Sequence, residues 1–120
     1  MKVEITVSTS FAAAHRLPEH DGKCYRLHGH TYGLEVSVAG TPQASGPASG
    51  MVMDFADLRD RVNDAIVQKL DHQFLNEVLD FTPTVESVAA WAFEQLSAAG
   101  IPVVKVRLSE GPNAWVEVTP

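Results

Sequence analysis

An α+β fold of order ββααββ, with a four-stranded antiparallel sheet and two helices on one face, is the architecture this sequence predicts. Three observations carry that reading. Two long runs near the N-terminus alternate apolar and polar residues, two central segments repeat apolar residues at helical spacing, and two short alternating runs close the chain.

Residues 2–15 place Val3, Ile5 and Val7, then Phe11, Ala13 and His15, at even intervals, so one face of a long strand ends in a histidine. A polar loop with Pro18, His20, Asp21 and Gly22 follows, and alternation resumes from His28 to Val38 as a second strand. The stretch GTPQASGPASG at 40–50 is rich in Gly, Pro, Ser and Ala and reads as a surface connection of hairpin type. Asp54 stands where its carboxylate caps the free amides of a helix over 55–70, whose apolar stripe is Phe55, Leu58, Val62, Ile66 and Leu70. A second helix begins after Pro83–Thr84, carries Val85, Val88, Ala89, Ala92, Phe93 and Leu96 on one stripe, and stops at Gly100–Ile101–Pro102. VVKVRLSE and NAWVEV then read as two short strands joined by a turn at Gly111–Pro112.

A chain of 120 residues is the size of one domain, and residues 1–120 are read as a single unit. Its 45% hydrophobic and 20% charged content are those of a globular protein, and no apolar run approaches the roughly 20 residues of a membrane span. The opening MKVEITVSTSF has the alternation of a strand and lacks the features of a secretory signal, so a cytoplasmic protein is expected. A net charge of −6, with nine scattered Lys and Arg, argues against a nucleic-acid partner and for a small-molecule ligand. The single cysteine, Cys24, excludes an intrachain disulfide and fits a reducing compartment.

The chemistry concentrates in HGHTY, residues 28–32. On a strand, positions i and i+2 share a face, so His28 and His30 present two imidazoles side by side. Taken by spacing alone, two satisfied polar residues on a half-exposed strand account for the pair as well as metal ligation does. His15 tips the balance, because an imidazole following three alanines needs a partner. If the first two strands form an antiparallel hairpin, His15 meets His28 and His30, and three neutral nitrogens with a fourth position left open is the pattern of catalytic zinc. His20, between Glu19 and Asp21, needs no role beyond solvent. Cys24 alone reads as a small buried hydrophobe, but it precedes His28 by four residues, where a nearby cation favours its thiolate. Asp71–His72 is either an acid/base pair or the end of a helix whose dipole favours a cation. Glu110 is either an exposed carboxylate beside a turn or an acceptor for two parallel N–H donors.

Together FAAAHRLPEHDGKCYRLHGHTYGLEVSV, GMVMDFADLRD, LDHQFLN, PTVES and VRLSEGPNAW resemble the 6-pyruvoyltetrahydropterin synthase family, most closely its bacterial 6-carboxytetrahydropterin synthase branch. The likeness spans nearly the whole chain, in order, and three residues between Cys24 and His28 match the carboxy-forming branch. It implies the tunnelling fold (T-fold) and a homo-oligomer, a hexamer of two stacked trimers with active sites between subunits. Carried over position by position, it implies a Zn²⁺ held by His15, His28 and His30, a thiolate base at Cys24, a catalytic pair at Asp71 and His72, and a pterin anchor at Glu110 that also enters the charge relay. Thr84 and Glu86 fall on a further part of the pterin pocket, although both residues also suit the start of a helix. Val85 and Gly111 depart from the family's usual residues, a small polar one and a threonine.

The implied reaction converts 7,8-dihydroneopterin triphosphate to 6-carboxy-5,6,7,8-tetrahydropterin with loss of triphosphate and acetaldehyde, on the way to queuosine and other 7-deazapurines. Two alternatives stay open at this stage. One is a different cut at the same site, pyruvoyl-type elimination or aldolase-like cleavage. The other is a non-catalytic zinc or pterin-binding module, which leaves Cys24 and Asp71–His72 without a purpose.

Overall fold

In the computed structural model, which describes residues 1–120, strand β1 (Val3–His15) pairs antiparallel with β2 (His28–Gly40) along its whole length. The register runs from Val3 opposite Gly40 to His15 opposite His28. A 3₁₀ turn at Lys23–Tyr25 lies in the loop joining them. Strand β3 (Gln73–Phe74) lies parallel to β1 at Ala13 and Ala14. Strand β4 (Val103–Glu110) pairs antiparallel with β2, and β5 (Trp115–Val118) with β4. The sheet order is therefore β3-β1-β2-β4-β5.

The four expected strands are present, but the sheet has five and is mixed rather than purely antiparallel. A two-residue strand carries no periodicity to read. It exists because the chain leaving the first helix is held against β1, where the His72 amide donates to the Ala12 carbonyl at 2.6 Å. The Gly- and Pro-rich segment also differs from expectation. It links β2 to a helix rather than closing a sheet hairpin, folding on itself through a bridge between Gln43 and Ser49.

Helix α1 starts at Phe55–Val62, widens to a π-helical stretch over Asn63–Val67 and closes with a turn at Gln68–Leu70. Asp54 caps it, accepting the Ala56 and Asp57 amides at 2.8 and 3.4 Å. Its buried residues, Leu58, Val62, Ile66 and Leu70, recur every four positions. In a regular α-helix Leu70 would stand about 120° around the axis from Leu58. The i→i+5 turns of the π stretch rotate less per residue and return the stripe to the sheet. A short helix α2 (Leu75–Val78), too brief to show a stripe in sequence, precedes α3 (Val85–Ala98). No helix is long and apolar enough to cross a membrane.

The helices cover one face of the sheet. Tyr32, Leu34, Val36 and Val38 of β2 and Val106 and Leu108 of β4 pack there against Leu58, Ile66, Val88, Ala92 and Leu96. The other face is polar, with Thr6 bonded to Ser37 at 2.7 Å and ion pairs Lys105–Glu4 and Arg107–Glu35. The core-facing row of β1 and β2 continues past Phe11 and Tyr32 to the His15–His28 pair at the end of the hairpin.

Candidate metal centre and pterin pocket

The end of that row holds the three histidines. His15 faces His28 and Ala13 faces His30 across the hairpin, and one pair further in, Phe11 stacks on Tyr32 with ring centroids 5.0 Å apart. The rings of His15, His28 and His30 lie 4.5 to 5.1 Å apart, and one ligand atom from each falls within 4.8 Å of the others. The sheet thus brings together the trio that spacing and hairpin pairing predicted.

Second partners orient two of the rings. His15 Nδ1–H donates to the Pro83 carbonyl, and His28 Nδ1–H to the Arg26 carbonyl, each at 2.7 Å. Both rings are thereby placed in the tautomer that leaves Nε2 with a lone pair. Nε2 of His15 and of His30 are buried without a hydrogen-bond partner. Such orphans are rare in folded proteins, and here a cation would satisfy both. His15 is 1% exposed, and burial holds its pKa below the ordinary value, keeping the ring neutral as a ligand must be. Three neutral imidazoles are a donor set that suits zinc. Tyr32, fully buried, places its hydroxyl 3.3 Å from His15 Nδ1, and burial followed by the Glu110 charge raises its pKa, so it stays a neutral phenol.

Glu110 enters from β4, where it pairs with Tyr32, and Gly111 behind it adopts φ 96°, a left-handed conformation that glycine takes without strain. Glu110 Oε2 lies 2.8 Å from His30 Nε2 and 3.8 Å from His15 Nε2. The closer contact lacks hydrogen-bond geometry, since His30 Nε2 still counts as unpartnered. A pocket of about 270 Å³ opens beside the trio, lined by Lys23, Cys24, His28, His30 and Glu110. Cys24 is half-buried in the 3₁₀ turn, and its carbonyl accepts the Leu17 amide at 2.8 Å, which ties the two ends of the loop together.

Asp71 and His72 are close to each other, Asp71 Oδ2 to His72 Nδ1 being 2.9 Å, but they lie on the outer edge of β1 and do not line that pocket. Asp71 Oδ1 accepts the Ala12 amide at 2.9 Å, and this bond, then the His72 ring, hold its carboxyl below the usual carboxylate range. His72 has φ 60°, uncommon for a side-chain-bearing residue, and its side chain is 81% exposed. Thr84 caps α3, accepting the Ser87 amide at 3.1 Å, and Glu86 is exposed in its first turn. Neither reaches the histidines within one chain's pocket.

Sequence reasoning missed three supports. The Pro83 carbonyl is 68 residues from the ring it holds, and Tyr32, although next in the His28–His30 alternation, looked like core. Asn76 accepts the Arg16 amide and donates to the Arg16 carbonyl, both at 2.9 Å, pinning β1 just beyond His15. Its only signal was its place in LDHQFLN.

Comparison with known proteins agrees with this geometry. A protein-family model described as 6-pyruvoyl tetrahydropterin synthase matches residues 4–120. A 6-carboxy-5,6,7,8-tetrahydropterin synthase of Synechocystis is 46% identical over 95 residues, covering 78% of this chain and 74% of the relative. A dihydroneopterin monophosphate aldolase of Pyrococcus furiosus is 36% identical, covering 98% of both chains. The structure of 6-pyruvoyl tetrahydropterin synthase from Caenorhabditis elegans superposes with TM-score 0.86 at 29% identity, covering 100% of this chain and 96% of that one.

Proposed function

The chain belongs to the 6-pyruvoyl tetrahydropterin synthase family, and we propose that within it the protein is a zinc-dependent 6-carboxy-5,6,7,8-tetrahydropterin synthase. It takes 7,8-dihydroneopterin triphosphate and water to 6-carboxytetrahydropterin, acetaldehyde and triphosphate, and serves queuosine and related 7-deazapurine synthesis in the cytoplasm. The observation that carries this reading is the trio His15, His28 and His30, with two orphaned buried nitrogens, of which His28 and His30 line one pocket with Cys24 and Glu110.

His15, His28 and His30 would hold the zinc, which when bound supplies Lewis-acid stabilisation of negative charge developing on the substrate's side-chain oxygens. Cys24, as thiolate, removes and returns the carbon-bound proton at the pocket wall. His72 exchanges protons on the opposite side of the substrate, its ring oriented by Asp71, whose depressed pKa keeps it charged. Glu110 accepts two N–H donors from the amino-pyrimidinone edge of the ring. Thr84 and Glu86 add contacts to the pterin.

The edge position of Asp71 and His72 supports an assembled site. A neighbouring copy would bring this pair to the pocket of another, as in a hexamer of two stacked trimers with sites between subunits. The deciding experiment incubates zinc-loaded protein with 7,8-dihydroneopterin triphosphate and identifies products by mass spectrometry, with Cys24→Ala alongside. Carboxytetrahydropterin and acetaldehyde, absent with the variant, are expected. A pyruvoyl product or a simple aldol cleavage product would reassign the chain within its family, and no turnover by folded, metal-loaded protein would overturn the enzyme reading for this substrate.

A further inference from the structure

The position of Glu110 is not that of a group waiting only for a ring. Its Oε2 lies 2.8 Å from His30 Nε2 and 3.8 Å from His15 Nε2, two buried nitrogens without a hydrogen-bond partner, the second of them a lone-pair acceptor like the carboxylate it faces. A cation shared among these atoms would give both nitrogens and the carboxylate a partner. A cation fits the spacing. Donors about 2.0–2.2 Å from a tetrahedral zinc stand roughly 3.3–3.6 Å apart, and the two observed separations bracket that range.

From this we infer that Glu110 is the fourth protein ligand of the metal centre while the pterin pocket is empty, and that capture of the pterin ring draws it off. The inference rests on the three-histidine zinc reading above and deepens it. Four protein donors close a zinc site, whereas catalysis needs one position open. One carboxylate with two duties resolves this: on the metal it fills the fourth position, and on the ring's paired N–H donors it vacates that position. Oxygens of the substrate side chain then find the place free only once the ring is seated. The backbone suits the exchange, because Glu110 ends β4 and is followed by Gly111 in a turn, while its side chain keeps 26% of its surface open to the pocket.

The test uses full-length protein loaded with Zn²⁺ or Co²⁺. Zinc affinity is read by competition with a chromophoric chelator, and coordination by the visible spectrum of the Co²⁺ form. Glu110→Gln, nearly isosteric and uncharged, is expected to weaken zinc binding by about 10–100-fold and to change the Co²⁺ spectrum. Glu110→Asp, which keeps the charge and shortens the reach, is expected to fall between. Adding 6-methylpterin, which has the ring but no side-chain oxygens, is expected to change the spectrum of the wild type and not that of Glu110→Gln. His28→Ala separates the two readings. If it abolishes binding while Glu110→Gln and Glu110→Asp match the wild type in affinity and spectrum, the fourth-ligand inference is overturned and the three-histidine site stands. If His28→Ala binds zinc as the wild type does, both fall.

Discussion

Asn76→Ala isolates how the fold holds the metal end of β1. Asn76 spans both main-chain groups of Arg16 with two 2.9 Å bonds, and Arg16 is the residue after His15. Each such bond contributes about 1 kcal/mol net, and its loss leaves part-buried groups to find water, so the variant should lose about 2 kcal/mol of stability. For a chain of this size that corresponds to a fall of roughly 8 °C in Tm. Asn76→Asp keeps an acceptor for the Arg16 amide and loses the donor to its carbonyl, so about half the loss or slightly more is expected. The assay is urea and thermal unfolding of metal-free protein at one protein concentration, followed by zinc titration. Because the freed strand end carries His15, zinc affinity should fall as well, by about tenfold. A variant within 0.5 kcal/mol of wild type, about the scatter of neutral surface changes, with unchanged zinc affinity would refute the clamp.

Two further outcomes follow from the same geometry. Asp71 has a folded pKa below its unfolded value, so the stability it contributes is present above about pH 4 and is lost as pH falls through the depressed folded value. Asp71→Asn should flatten that acid limb in thermal melts and lower turnover by about a hundredfold or more, whereas an unchanged limb would remove the charged bond to Ala12 from the account. Zinc supplied at about 100 times its Kd should raise the stability of metal-free protein by about 2.7 kcal/mol, or near 10 °C in Tm. His28→Ala should show no such rise, and an equal rise would place the stabilising ion elsewhere.

Much of the fold was legible because its local periods are unmixed. Alternation marked β1 and β2 nearly to the residue, the stripes marked α1 and α3, and Asp54 and Thr84 do cap the helices they precede. The hairpin inference put His15 against His28, since in antiparallel pairing the end of one strand meets the start of the next. Strand β3 was not legible, because two residues have no period, and neither was the π stretch, because a four-residue repeat reads as an ordinary helix until its drift is counted.

By itself the sequence determined which side chains share a face, and therefore that three imidazoles would converge at one end of a hairpin. That follows from backbone geometry repeated every two residues. Only the tertiary structure decided which nitrogen of His15 and His28 is free, that Glu110 looks onto the same centre, and that Asp71–His72 sits on the opposite edge of β1. Those facts depend on main-chain groups such as the Pro83 carbonyl, which every residue carries alike and which acquire a role only when distant segments are brought together.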